Sequence, residues 1–176
     1  AHAYEAGASR LPFAVLRGYV GTDFAAVNPE IRSVTCPFTG EELAAVPAIN
    51  PDITFIHALK ADRAGNVLIE GITGVQKEAV LAAGKAVVTV EETVDSLDPH
   101  PNALVLPHGV VTAIAEVPGG AHPSYAHGYY PRDNATYRAW DAISADRARF
   151  LDWMKTHVID EDAQVFATRV AKLTDG

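Results

Sequence analysis

The chain has 176 residues, of which 48% are hydrophobic, and its 22 acidic and 14 basic residues give a formal net charge of −8. This composition predicts one globular domain over residues 1–176 and excludes disordered and fibrous classes. Apolar runs fall far short of the roughly 20 residues that a membrane helix needs, and no Lys/Arg cluster suits a nucleic acid. With a single cysteine, Cys36, we expect a cytoplasmic protein that binds neither membrane nor nucleic acid.

The first third of the chain predicts short strands joined by turns. Phe13–Leu16 and Ile53–Ile56 are apolar runs, and turn signals at Asn28-Pro29 and Thr39-Gly40 lie between them. This spacing is typical of strands with short connections.

A strand–helix–strand crossover follows. Asp52–Ala58 and Val67–Glu70 predict strands on either side of a turn, Val75–Ala83 predicts a helix, and Ala86–Val90 predicts a central strand. Because such crossovers are right-handed and parallel by default, we expect an α/β fold with an open, mostly parallel sheet flanked by helices.

The last third predicts one strand, a loop and a helical tail. After a strand at Val110–Glu116, residues 118–131 are too rich in Gly and Pro for regular structure and too aromatic for a solvated linker, which favours an ordered loop. Ser144 is expected to cap a helix, and these helices are expected to cover a sheet face or a subunit contact. Their apolar faces comprise Phe150, Leu151, Met154, Val158, Ala163, Phe166, Val170 and Leu173.

Several acidic and histidine side chains stand at the ends of predicted elements. Glu91 and Glu92 end a strand, where open α/β sheets bind ligands, although an ordinary sheet edge fits equally well. Glu41 follows a tight turn that would hold its carboxylate in a fixed geometry, but the spacing alone favours an acid at a helix N-terminus. His57 ends an apolar strand and is interpreted as a hydrogen-bonded core histidine.

Motifs for metal binding and nucleophilic catalysis are weak. We predict no metal site, because the histidine pairs lack the helical spacing of metal ligands. The pairs considered are His122 with His127 and His100 with His108. The turn Gly71–Gly74 could hold an anion at a helix N-terminus but is favoured as a structural turn. No Gly-x-Ser-x-Gly elbow occurs in the sequence.

Several segments form an ordered set that extends over most of Leu11–Tyr137. They are Thr35–Glu41, Ala45–Asp52, His57–Asn66, Ala86–Glu92, Gly119–Ser124 and Gly128–Tyr130. Together they resemble one family, the alpha subunit of family I coenzyme A transferases. The most similar branch is glutaconate CoA-transferase-like and includes CoA-ester hydrolases of steroid ring degradation. The resemblance implies the CoA-transferase fold of NagB/RpiA type.

The resemblance implies one subunit of an enzyme that transfers coenzyme A between an acyl-CoA and a carboxylic acid through a glutamyl-CoA thioester. The family's nucleophilic glutamate lies in a Ser-Glu-Asn-Gly motif of the beta subunit, and this sequence has no such tetrapeptide. It also lacks the family's N-terminal Gly-Gly-Phe block, so it matches the C-terminal part of an alpha subunit. We therefore expect a hetero-oligomer with a beta subunit, coenzyme A as substrate, and no activity from this chain alone.

The resemblance also assigns one wall of the acyl-CoA site to this chain. A hydrolase or ring-opening enzyme on the same scaffold is the alternative, and a small-ligand sensor is the non-enzymatic one. The tyrosines and His122 could instead only pack the loop onto the body of the protein. The expected substrate-contacting residues are Phe38, Thr39, Glu41, Glu91, His122, Ser124, Tyr125 and Tyr129.

Overall fold

A computed structural model describes residues 1–173 as six α-helices and eight β-strands. The helices are α1 (His2–Ala8), α2 (Asp23–Val27), α3 (Gln76–Ala82), α4 (Asn134–Ser144), α5 (Arg147–Met154) and α6 (Ala163–Ala171). The strands are β1 (Phe13–Leu16), β2 (Arg32–Thr35), β3 (Glu42–Pro47), β4 (Ile53–Asp62), β5 (Val67–Ile69), β6 (Lys85–Val94), β7 (Leu104–Leu106) and β8 (Ala113–Glu116). The expected α/β class is confirmed.

The smaller sheet has the strand order β1-β3-β2, and both of its pairings are antiparallel. A tight turn joins β2 to β3: the amide of Gly40 donates to the carbonyl of Cys36 over 2.9 Å, and that of Cys36 donates to the carbonyl of Glu41 over 2.8 Å. Gly40 has φ +74°, a conformation that costs glycine little. This turn therefore fixes the backbone from Cys36 to Glu41.

The larger sheet has the order β7-β5-β4-β6-β8, so β6 lies directly beside β4, whereas β5, the strand that precedes α3, is separated from β6 by β4. Strand β5 instead pairs antiparallel with β4 through a tight turn. In that turn a carboxylate oxygen of Asp62 accepts the amides of Ala64 and Asn66, and Gly65 has φ +88°. The sheet thus contains at least one antiparallel pair.

The chain divides into two compact units. Unit 1 comprises residues 1–56, 72–87 and 106–113. Its interior includes the small side chains of α1 and α3, where a Cβ on Gly7 would lie 3.1 Å from that of Ala82. Unit 2 comprises residues 57–71, 88–105 and those from Ile114 onward, and one of its cores is formed by Leu59, Ala126, Tyr130 and Val170.

The helices at the end of the chain differ from the sequence prediction. Ser144 is the last residue of α4 and does not cap a helix; Asp146 caps α5, because its carboxylate accepts the amide of Arg149 over 2.9 Å. Helices α1, α2 and α4 are not predicted from the sequence, whereas α3 and α6 are. Among the described helices, none has the length and apolar character that a membrane span requires.

Candidate functional site

The buried carboxylate of Glu91 connects three separate segments of unit 2. Its side chain is 3% exposed. Oε1 accepts from His57 Nε2 over 2.7 Å and from the Tyr130 hydroxyl over 2.6 Å. Oε2 accepts from the amide of Gly119 over 2.7 Å. Glu91 on β6 thereby ties residues 119–130, which we call the aromatic loop, to β4 and β6. His57 and Glu91 lie inside these strands and not at their ends, where the sequence predicts them, because both strands extend several residues further.

The charge of Glu91 is stabilised by these donors. Burial raises the pKa of Glu91, but the hydrogen bonds from His57, Tyr130 and the Gly119 amide outweigh burial and bring the pKa below its ordinary value. Burial together with the bond to Glu91 raises the pKa of Tyr130, so its hydroxyl remains a donor. The network is therefore an ionised carboxylate held by three hydrogen-bond donors.

His57 is held on both sides of its ring. With Nε2 donating to Glu91, Nδ1 lies 2.8 Å from the hydroxyl of Thr89. A Cβ on Gly120 would lie 2.7 Å from His57 Cε1 and Nδ1, so only glycine lets the loop approach this closely. The interpretation of His57 as a hydrogen-bonded histidine is confirmed.

A second, more exposed group surrounds Glu92. The ammonium of Lys60 and the hydroxyl of Tyr129 both contact Glu92 Oε1, at 2.6 and 2.7 Å. These two partners lower the pKa of Glu92, while burial and Glu92 raise that of Tyr129. Buried Glu91 therefore bonds to Tyr130, and the more exposed Glu92 bonds to the adjacent Tyr129.

His122 lies where the aromatic loop approaches α4. Its Nε2 is 3.0 Å from a carboxylate oxygen of Asp133, and the two side chains are 7% and 13% exposed. Asp133 caps α4 by accepting the amides of Ala135 and Thr136, each over 3.0 Å. Bonds from the hydroxyl and amide of Thr136 and from His122 bring the pKa of Asp133 well below its usual range. The His122 ring thus bonds to the side chain of Asp133.

The remaining predicted loop residues lie in the same unit. The Tyr125 hydroxyl would be 3.3 Å from a Cβ on Gly71, which has φ +83°, so the ring packs against that turn. Ser124 is half-buried, and its amide donates to the carbonyl of Ala121. Unit 2 therefore contains Glu91, His122, Ser124, Tyr125 and Tyr129.

Phe38, Thr39 and Glu41 belong instead to unit 1, in the turn between β2 and β3. The Phe38 ring is 94% exposed. Glu41 accepts two hydrogen bonds from the guanidinium of Arg17, over 3.0 and 3.2 Å. Glu41 precedes a strand, so its assignment to a helix N-terminus is wrong. Hydrogen bonds from Thr39 and the Phe38 amide lower the pKa of Cys36 in this turn.

Four groups that bond to Glu91, Glu92 or His122 are not among the substrate-contacting residues expected from the sequence. They are Lys60, the Gly119 amide, Tyr130 and Asp133. The available signals were Asp133-Asn134 before a helical segment, which is typical of an N-cap, and Tyr130 beside a predicted site residue. Among residues 1–173, no group of three or more His, Cys, Asp or Glu is placed to hold a metal ion.

Sequence comparison connects this geometry to known proteins. The coenzyme A transferase family model matches residues 1–117. The A subunit of 3-oxoadipate CoA-transferase from Pseudomonas knackmussii is 56% identical over 176 residues, covering 100% of this chain and 62% of the relative. The cholesterol ring-cleaving hydrolase IpdA subunit of Rhodococcus jostii is 34% identical over 182 residues, covering 96% of this chain and 61% of the relative.

The fold has a solved counterpart. Glutaconate coenzyme A-transferase from Acidaminococcus fermentans superposes with a TM-score of 0.85 at 27% identity, over 97% of this chain and 62% of that one. The chain spans less than two thirds of the length of these relatives. The family match over more than half of the sequence, the identity along the whole chain and the shared fold show that this chain belongs to the coenzyme A transferase family.

Proposed function

We propose that this chain is part of an alpha subunit that, with a beta partner, transfers coenzyme A between an acyl-CoA and a carboxylic acid. The observation that carries the proposal is the 56% identity over 176 residues to the A subunit of 3-oxoadipate CoA-transferase. This similarity makes 3-oxoadipate the first acceptor acid to test.

The proposed reaction begins when an enzyme glutamate attacks the thioester carbonyl of the acyl-CoA. The carbon–sulfur bond breaks, giving a mixed anhydride and the CoA thiolate. The thiolate attacks the glutamyl carbonyl, which releases the donor acid as a carboxylate and leaves a glutamyl-CoA thioester. The acceptor carboxylate then reverses both steps. Because this sequence lacks Ser-Glu-Asn-Gly, the proposal assigns the nucleophile to the partner subunit.

Within this proposal, the aromatic loop forms a wall that keeps water from the two reactive intermediates. The Glu91 anchor supports this role, because hydrogen bonds from the Gly119 amide and the Tyr130 hydroxyl hold the loop to Glu91. With His57 as a third donor, the carboxylate is satisfied without a ligand. His122, Ser124, Tyr125 and Tyr129 are the proposed contacts of the acyl group. The turn Phe38–Glu41 of unit 1 is proposed to contact substrate with its exposed ring.

The test uses the complete alpha chain in complex with its beta partner. We expect thioester exchange between a panel of acyl-CoA donors and 3-oxoadipate, no reaction from this chain alone, and a thioester adduct on the beta chain once the complex has been incubated with donor. Activity of this chain without a partner, or the absence of exchange from the assembled complex, would overturn the proposal.

A hydrolase is the second candidate, favoured by the 34% identity to the cholesterol ring-cleaving hydrolase subunit. The same assay separates the two reactions. Free CoA released at the same rate with and without an acceptor acid supports hydrolysis, whereas release that requires the acceptor and yields its CoA ester supports transfer.

Phe38 offers a matched test of the proposed substrate contact. Phe38→Ala removes a ring that is 94% exposed, and Phe55→Ala is the control because its ring is 73% exposed in the same unit. We expect Phe38→Ala to raise KM about tenfold at unchanged thermal stability, and Phe55→Ala to leave KM unchanged. Equal KM values for both variants would remove Phe38 from the site.

A further inference from the structure

A cavity of about 840 Å³ lies within unit 2, lined by the first part of the aromatic loop, α4, α5, α6 and the segments next to these helices. Its size falls in the range of cavities that hold small organic molecules, roughly 300–1,000 Å³. Every lining residue lies after position 117, where the match to the coenzyme A transferase family model ends. The wall shares His122 with the proposed acyl contacts, and its other residues lie outside that set.

Ring side chains dominate the wall. Trp140 and Trp153 meet edge to face with ring centroids 5.1 Å apart. His122 and Phe166 meet in the same manner at 6.1 Å. Tyr137 and His157 complete the set of rings. Aromatic walls in edge-to-face contact offer ring faces and edges to a further ring, which gains both apolar burial and quadrupole attraction.

The charged groups of the wall are paired with one another. Arg169 donates two hydrogen bonds of 3.0 Å to Glu161. Asp133 accepts from His122 and from the first turn of α4. Among the described lining residues, each Asp, Glu and Arg therefore already has a partner, and a charged ligand would lose its hydration without gaining a free counter-ion.

From these observations we propose that the cavity binds an uncharged, ring-containing organic molecule. Such a ligand is chemically distinct from an acyl-CoA, which is a polyanion, so the proposal extends beyond CoA transfer and does not depend on it. The aromatic rings recognise the ligand's ring system, and the paired charges exclude its carboxylated or aminated analogues.

The test compares naphthol with naphthoate and naphthylmethylammonium, which carry the same rings with no charge, a negative charge and a positive charge. Each is titrated into the protein by calorimetry, and the indole N–H signals of Trp140 and Trp153 are followed by NMR. We expect saturable binding of naphthol with shifts of both indole signals, and binding of either ion weaker by about tenfold or more.

Ala163→Phe fills the cavity, because Ala163 lines it on an exposed position of the first turn of α6. Ala139→Phe is the matched control, an exposed helical position of α4 outside the cavity wall. We expect Ala163→Phe to weaken naphthol binding about tenfold and Ala139→Phe to leave it unchanged.

The proposal would be overturned by the absence of saturable naphthol binding, by an ion that binds as tightly as naphthol, or by equal affinity of the Ala163→Phe and wild-type proteins for naphthol. Naphthol binding to the isolated chain but not to the assembled complex would assign this face to a subunit contact and would equally overturn it. None of these measurements uses CoA transfer, so failure of the proposed function leaves them interpretable.

Discussion

The Glu91 network of unit 2 and the Cys36–Glu41 turn of unit 1 each present a glutamate that the sequence predicts as a site residue, but in different surroundings. The Glu91 side chain is 3% exposed and bonds to three donors from distant parts of the sequence. The Glu41 side chain is 39% exposed and has its ion pair with Arg17, which is 81% exposed.

Burial decides what each carboxylate contributes. Removing either a buried carboxylate or its donors leaves the other groups buried without a hydrogen-bond partner. The stability of the fold then falls by the full desolvation penalty of those unpaired groups. An exposed ion pair exchanges its partner for water at little cost. Glu91 therefore holds structure, whereas Glu41 can change partners and is better suited to meet a ligand.

The largest expected effect follows from removing the buried carboxylate. Glu91→Ala leaves the Gly119 amide, the Tyr130 hydroxyl and His57 without their acceptor, and should lower the free energy of unfolding by about 3–5 kcal/mol. Denaturant unfolding of the purified protein measures it. A loss comparable to that of an exposed glutamate, such as Glu30→Ala, would show that the three donors find other partners.

The acid sensitivity of the protein should depend on the same residue. Because the folded-state pKa of Glu91 lies below its ordinary value of 4.5, the unfolded chain binds the proton more readily. The stabilisation is fully present above that ordinary value and is lost as pH falls toward the folded-state pKa. Thermal unfolding between neutral and acidic pH should show a steeper decline for wild type than for Glu91→Gln. Parallel curves would contradict this.

The next largest loss of stability is expected where Gly120 approaches His57. Gly120→Ala places a methyl group 2.7 Å from the His57 ring, and should cost about 2 kcal/mol of unfolding free energy by overpacking. Gly109→Ala is the control, because no atom lies within 4 Å of its added Cβ. If the two variants are equally stable, the aromatic loop adjusts freely and the Glu91 anchor does not fix it.

The adjacent tyrosines compare the buried and the exposed carboxylate directly. Tyr130→Phe removes a donor from buried Glu91 and should cost about 2 kcal/mol. Tyr129→Phe removes a donor from half-exposed Glu92, which keeps Lys60, and should cost less than about 1 kcal/mol. The difference in unfolding free energy is the measurement. A larger loss for Tyr129→Phe would reverse the assignment of the anchor.

Local features of this fold are predictable from the sequence. Strand β1 matches its predicted bounds of Phe13–Leu16, and α3 lies inside the predicted helix, because apolar periodicity and glycine punctuation act over a few residues. Ser144 and Asp146 are both suitable caps two residues apart, and the sequence does not decide between them. The bond of Asp146 to the Arg149 amide does.

The partners of Glu91 could not be predicted, because they are separated from it by 28 to 39 residues along the chain. Which tyrosine of the pair meets which glutamate depends on how the aromatic loop lies against β6, and the order of residues does not contain this information. The sequence places Glu91 and Glu92 at the end of a strand, but β6 continues through Thr93 to Val94, so both glutamates lie inside the strand.

The smallest stability effect is expected at Glu41, and it separates holding structure from contacting a ligand. Glu41→Gln weakens the two hydrogen bonds from Arg17, but both side chains face solvent, so the unfolding midpoint should be indistinguishable from wild type. If the turn contacts substrate as proposed, the same variant in the assembled complex should still lower kcat/KM about tenfold. Arg17→Gln is the control for loss of the ion pair alone. Equal losses for both variants would mean that the pair itself is what the site requires, whereas full activity of Glu41→Gln would remove this glutamate from the proposed site.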